Sequence, residues 1–312
     1  MKKITILSLC TGAILFATTL FAAQTGEKEG GTREIASPTD QQRLVRLTRY
    51  EGQRISGVSA SSAFDIQLVQ SHDTKVVAEI NEELEDRLEL TLSPDGIVRV
   101  GLNAIYQSGR DDRNSRNTVR NLNRLNSRNT VLKLTVYLPE LSYLKTSGAV
   151  TTYSTGSFNT RNAEISLSGA SEIKSLDLNA EGKLSIKISG ASEAYITAHA
   201  GNAEVTASGA SDLDLNLSCR TVSLNCAGAS DVTVTGEAHE GTITISGGSD
   251  VNAGGFAIRQ LNITVSAASD VQAWAVERCK GKVSSAASLR LKGNPAELDI
   301  QSSSAGSFRR AD

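Results

Sequence analysis

The chain has 312 residues, 39% hydrophobic and 21% charged, with four prolines, one methionine and 4% aromatic residues. That balance excludes wholesale disorder and requires a core of Val, Ile, Leu and Ala, as narrow repetitive β architectures have. A formal net charge of −2 supplies no field that would draw nucleic acid, which is excluded as a partner.

Lys2 and Lys3, the almost wholly apolar run 4–21 and the small pair Ala22 and Ala23 read as a Sec-type signal peptide over residues 1–23. An uncleaved anchor is the alternative, because the run is near the lower length of a spanning helix. Cleavage leaves a more acidic chain with no transmembrane domain and an extracytoplasmic location: periplasm, cell surface or secreted. Residues 24–43, polar with Gly26, Gly30, Gly31 and Pro38, read as a flexible linker.

Residues 44–144 form a β-rich N-terminal region. Phe64, Ile66 and Leu68 alternate with polar partners, as do Leu88, Leu90 and Leu92, which is the period of a strand. Ser93-Pro94-Asp95-Gly96 has turn chemistry and predicts a hairpin with the run that starts at Ile97. An Arg/Asn-rich insertion occupies 103–130, after which Leu132, Leu134, Val136 and Leu138 alternate up to Pro139, which cannot donate to a ladder and ends the strand.

From 145 to 308 the chain repeats a Ser-Gly-Ala-Ser-acid-aliphatic unit, with full copies starting at Ser168, Ser189, Ser208, Ala227, Ser246 and Ser266. Degenerate copies lie at 147–149, 285–288 and 303–305. Second positions at 148, 169, 190, 209, 228, 247, 267, 286 and 304 give steps of 21, 21, 19, 19, 19, 20, 19 and 18 residues. Units of this length with alternating strands cannot bury their apolar side alone, but they can when stacked in register. The fold class is therefore all-β: a parallel β-helix (β-solenoid) of about 18–21 residues per coil, preceded by the β-rich region.

These units, the strand 131–138 with Pro139-Glu140-Leu141, and Lys292-Gly293-Asn294-Pro295 resemble the putative auto-transporter adhesin, head GIN domain family, exported proteins common in Bacteroidetes. The resemblance covers residues 50–309 apart from the insertion. It implies a β-helical fold and an adhesin-like role, although nothing after residue 143 reads as a membrane barrel, whose strands need lipid-facing alternation and aromatic girdles.

Alternation places Val251, Ser249 and Gly247 inward and Asp250 outward. Glu172, Glu193, Asp212, Asp231, Asp250 and Asp270 then form one outward ladder, a candidate ligand or cation site, with turn capping or plain solvation as the alternatives. Neighbouring carboxylates at the inter-strand spacing repel by about 0.9 kcal/mol in bulk water. The serines Ser171, Ser192, Ser211, Ser230, Ser249, Ser269 and Ser288 are expected inward, bonded hydroxyl to hydroxyl between coils. With no histidine recurring beside them they lack the base that a nucleophile needs. Arg113, Arg116, Arg120, Arg124 and Arg128 recur every three or four residues, a candidate site for an anionic partner if helical and otherwise a solvated excursion.

Of the four cysteines Cys10 lies within the signal peptide; the remaining Cys219, Cys226 and Cys279 are an odd number without CxxC spacing and read as free buried thiols. His72, His199 and His239 are scattered. No metal ligand set or cofactor is indicated, apart from calcium over the acidic ladder. The function expected is a non-catalytic exported cell-envelope or surface protein, adhesin-like, ligand-binding or structural, with a glycan or an envelope or surface protein as partner. The alternative is a carbohydrate-active β-helical enzyme, for which no catalytic constellation is recognised.

Overall fold

The computed structural model describes residues 32–39, 42–103, 130–303 and 305–311. Six long strands carry the stack: β12 (Glu172–Ile188), β13 (Glu193–Ala207), β14 (Asp212–Cys226), β15 (Asp231–Ile245), β16 (Asp250–Val265) and β17 (Asp270–Val283). Each pairs in parallel with the next, as the repeat predicts. Each also turns one corner midway, so a coil has two outer faces. In β14 the inward residues are Leu213, Leu215 and Leu217 before the corner and Val222, Leu224 and Cys226 after it. The alternation slips at the corner, around Cys219 and Arg220, and resumes on the second face. Stacked inward columns such as Ile173, Ala194, Leu213, Val232, Val251, Val271 and Leu289 run the length of the molecule, all buried.

The other corner is the Ser-Gly-Ala-Ser turn. Gly228 adopts φ +83°, and a Cβ there would meet Gly209 O at 2.7 Å; both the left-handed conformation and the close stacking require glycine. Between coils the turn is held by the N–H of Ala229 donating to Gly209 O at 2.7 Å, a bond repeated from coil to coil. Where the repeat lacks glycine, Ala267 and Ser285 hold φ of +65° and +60°. Ser285, not Ala286, is therefore the corner residue of that coil, which corrects the alignment by one position. Ser288 consequently pairs with Asp270 and belongs to the outward column, while Ala287 takes the buried place.

The stack also begins earlier than the repeat suggests. β3 (Gly57–Ala60) and β4 (Asp65–Gln70) flank Ser61, Ser62 and Ala63, with Ser62 at φ +77°. This coil pairs in parallel with β9 (Tyr143–Thr146) and β10 (Thr151–Thr160), and the N–H of Ala149 donates to Ser62 O. β9 and β10 lead in turn through β11 (Ala163–Leu167) to β12. Residues 57–70 are thus a full coil, separated in sequence from the next by residues 71–142, the insertion among them.

Below it, β7 (Ile97–Leu102) and β8 (Leu132–Leu138) extend the two faces in parallel. Antiparallel strands then close that end: β6 (Leu88–Leu92) on β7, joined by the hairpin that the Pro94-Asp95-Gly96 turn predicts, and β5 (Lys75–Asn81) on β8. β2 (Gln42–Arg49) pairs with β5 and β1 (Thr32–Thr39) with β2. The linker expected over 24–43 is therefore corrected from Thr32 onward, where Ile35 and Val45 stand opposite in a hairpin. The far end consists of β18 (Ser288–Lys292), β19 (Glu297–Ser302) and β20 (Ser307–Ala311). The signal peptide and the start of the linker lie outside the described residues. No helix among the described residues is long and apolar enough to cross a membrane.

Candidate functional site

The strand register puts Glu172, Glu193, Asp212, Asp231, Asp250 and Asp270 opposite one another, one per coil, on the first outer face. The same column continues through Thr151 to Asp65, an acid that sequence reasoning missed because its coil carries Ser62 and Phe64 in place of Gly and Ser. The carboxylates do not close the turns. That is done by the buried serines, whose hydroxyls donate three residues back to a carbonyl of the same turn: Ser171 to Ser168 O at 2.8 Å and Ser230 to Ala227 O at 2.9 Å, with Ser192, Ser211, Ser249 and Ser269 alike. Hydroxyl-to-hydroxyl contact, expected throughout, occurs between Ser211 and Ser230 at 3.3 Å. The local carbonyl wins because the turn presents it at fixed geometry, and a hydroxyl that gives its one proton there has none left to donate to the next coil's hydroxyl.

Among the described residues, ion pairs reach only the two ends of the ladder: Lys174 lies 3.9 Å from Glu172 and Arg290 4.0 Å from Asp270. In the middle, partial shielding from water, then the charges of Asp231, Glu193 and Asp214, push the Asp212 carboxyl above the usual aspartate range. No group of three or more His, Cys, Asp or Glu side chains among the described residues is arranged to hold a metal ion. The ladder column presents one carboxylate per rung, and the column beside it, Tyr195, Asp214, Thr233, Asn252 and Gln272, adds a second carboxylate only at Asp214. The arginines Arg113, Arg116, Arg120, Arg124 and Arg128 lie outside the described residues. The strands flanking them, β7 and β8, end and begin at the capped end of the stack.

Beside the ladder the face is hollowed. Corners from Gly190 to Gly247 are 19 residues apart, but the two preceding coils take 21 each and the following one 20. The extra residues cannot enter the packed columns and are displaced outward. In β10 the stretch from Tyr153 to Ser157 spans only Ser175 to Asp177 of β12, Lys174 of β12 is itself unmatched, and β16 carries an extra residue between Asn252 and Gly255. Beside the β10 and β12 bulges, β13, β14 and β15 form the floor of an open groove of about 560 Å³, lined by Tyr195, Thr197, Asp214, Asn216, Thr233 and Thr235 and walled on that side by Lys174 and Asp177. The uneven repeat spacing was the available signal for it. Tyr195 is 43% exposed and donates its hydroxyl to Glu193 Oε1 at 2.7 Å; that bond and the Glu193 charge push the phenol up to about 12.

The three thiols are free. Burial pushes Cys219 and Cys226 up to about 12 and Cys279 to about 11, which leaves them without nucleophilic thiolate near neutrality.

A family model described as "Putative auto-transporter adhesin, head GIN domain" matches residues 55–215 and 184–295. No curated protein matches the chain. Among solved structures, one described as a "putative adhesin" from Parabacteroides distasonis is 16% identical over 87% of this chain and 98% of its own, with a TM-score of 0.62. A "Putative lipid binding protein" from the same organism is 16% identical over 86% and 97%, with a TM-score of 0.55. A "putative adhesin" from Parabacteroides merdae is 15% identical over 88% and 98%, with a TM-score of 0.54. At such identities the likeness is one of fold.

Proposed function

Because the chain belongs to the family described as "Putative auto-transporter adhesin, head GIN domain", we propose that it is a non-catalytic, adhesin-like binding module. It acts outside the cytoplasm, at the cell envelope or surface, on a glycan or an envelope or surface protein. The observation that carries this reading is the first outer face: a rigid array of polar side chains at fixed rung spacing, hollowed into an open groove. Rigid presentation reduces the ordering cost of association.

The acids favour binding over chemistry because they are the repeat itself. Acid–base or nucleophilic catalysis needs different groups converging on one reacting atom, whereas each ladder rung repeats the last. The serines have their hydroxyls committed to turn carbonyls, and no histidine recurs beside them. A carbohydrate-active enzyme on this scaffold is the less favoured reading.

Two measurements test the proposal. Protease shaving of intact cells that express the chain, followed by fractionation, should find it accessible or in the envelope fraction. Labelled full chain should bind a glycan array or envelope fragments saturably, and heat-unfolded chain should not. Recovery of the chain in the cytoplasm, or no saturable binding to either, would contradict the proposal.

A further inference from the structure

The groove over β13, β14 and β15 differs from the rest of the first face in one respect. Exposed large hydrophobic side chains among the described residues are two, Tyr195 and Val276, and Tyr195 is on the groove floor. Its hydroxyl is tied down by Glu193, so the ring is held in one orientation while much of it stays open to solvent. Around it the floor presents the carboxylate of Asp214, the amide of Asn216 and the hydroxyls of Thr197, Thr233 and Thr235, on three successive rungs. Hydroxyls and amides both donate and accept, and carboxylates accept only.

A fixed aromatic surface beside graded donors and acceptors fits one ligand chemistry better than others. The apolar C–H face of a sugar ring can lie on an aromatic ring while its hydroxyls reach flanking amides and carboxylates. An acyl chain lying there would cover Asp214, Asn216 and the three threonine hydroxyls without offering any of them a hydrogen-bond partner, which costs free energy. Charge narrows the choice further. Asp214 and Asp177 line the groove, Glu193, Asp212 and Asp231 run along its edge, and the one cation of the wall, Lys174, lies near Glu172. An anionic saccharide would be repelled there, and an amino sugar attracted.

The geometry points to this groove as the binding site for a saccharide chain that is neutral or bears amino groups, with a sugar ring seated on Tyr195 and its hydroxyl or ammonium groups on Asp214 and Asn216. This rests on the reading of the chain as a binding module and names its ligand class and place. Uneven coil length is the device that builds the site: the longer coils of β10 and β12 raise a wall along one side, and the three equal coils keep the floor flat.

Calorimetric titration of the full chain tests it with cellohexaose, a glucosamine hexamer and a galacturonate hexamer, and with phosphatidylglycerol and phosphatidylcholine vesicles as a lipid arm. The expected result is binding of the first two, tighter for the glucosamine hexamer and weakened by salt, with no heat from galacturonate. Tyr195→Ala should weaken binding at least tenfold. Tyr195→Phe, which keeps the ring, should stay within about threefold, and Asp214→Asn should remove the preference for the amino sugar. Thr242→Ala on the opposite face should change nothing. Saccharide binding that ignores Tyr195→Ala and Asp214→Asn would overturn the site while leaving the binding-module reading intact. Binding of vesicles or galacturonate alone would overturn the ligand class. Circular dichroism of each variant, matching wild type, assigns any loss to the site.

Discussion

Tyr195 and Glu193 lie two residues apart on the same outer face of β13, and the phenol donates to the carboxylate at 2.7 Å. The bond joins the acidic ladder to the groove floor. One partner belongs to the repeating column and the other stands in the neighbouring column, where the next coil has Asp214. The structural ladder and the proposed site are thus physically continuous.

Replacing Val251 tests the inward column. Val251 is 3% exposed and sits between Val232 and Val271, while Asp250 beside it is exposed. Val251→Asp would place an unpaired charge in the stack and should cost more than about 3 kcal/mol. Asp250→Ser should change stability by less than about 0.5 kcal/mol. Urea unfolding of both variants checks the pair, and an unaltered midpoint for Val251→Asp would refute the assignment.

The corners give opposite expectations at two positions. Gly228→Ala meets both the left-handed conformation and the backbone of Gly209 and should destabilise by about 2 kcal/mol or more. Ala267→Gly removes the strain of an alanine at φ +65°, offset in part by the freedom glycine adds to the unfolded chain, for a net gain of up to about 1 kcal/mol. Thermal melts of the two should move in opposite directions.

The acidic ladder predicts a pH and salt dependence of definite sign. Asp212 is raised in the fold, so the folded chain holds its proton more tightly than the unfolded chain. Its ionisation therefore opposes folding at neutral pH, and that cost is relieved as pH falls through the folded value toward the unfolded one. Glu204 and Glu297, lowered by Lys183 and Lys280, act in the other sense and lose their contribution as pH falls. Changing Asp212, Asp231 and Asp250 together to Asn should raise stability by on the order of 1 kcal/mol at low salt and flatten the salt dependence. Calcium titration of both proteins tests the cation reading of the ladder: heat in wild type that the triple variant loses supports it, and no heat in wild type removes it.

The thiols should resist alkylation in the folded state at pH 8 and react at once in denaturant, since burial holds them near 11 to 12. Cys279 shares a column with Leu261, Gly241 and Val222, three coils from the β14 thiols or about 14 Å at the inter-strand spacing. Intact-mass measurement should find all three reduced; a bridge from Cys279 to Cys219 or Cys226 would break the register.

The repeat made most of this architecture legible, because a corner that tolerates only small residues recurs visibly, and an acid beside an aliphatic residue fixes which side faces in. Legibility failed where the same geometry is met by other chemistry. Ser62 adopts the corner conformation without glycine, and Phe64 fills the place of the buried serine, so the coil of residues 57–70 looks like an ordinary alternating strand. Ser285 hid a one-residue slip in the same way. The serine partners were misread because a hydroxyl's choice between a local carbonyl and a neighbouring coil depends on turn geometry that composition does not carry. The groove was written in the step lengths, yet a difference of two residues between coils does not reveal whether the surplus goes to a corner or to a face.

Binding without cleavage is the central claim, and one measurement addresses it most directly. The full chain is incubated with a polysaccharide that it retains on a column, with and without calcium, and the eluted polysaccharide is sized by mass spectrometry. The account predicts retention, elution at unchanged length and no new reducing ends. Shortened products that disappear when Asp212, Asp231 and Asp250 are changed to Asn would contradict it and make the ladder part of a catalytic site.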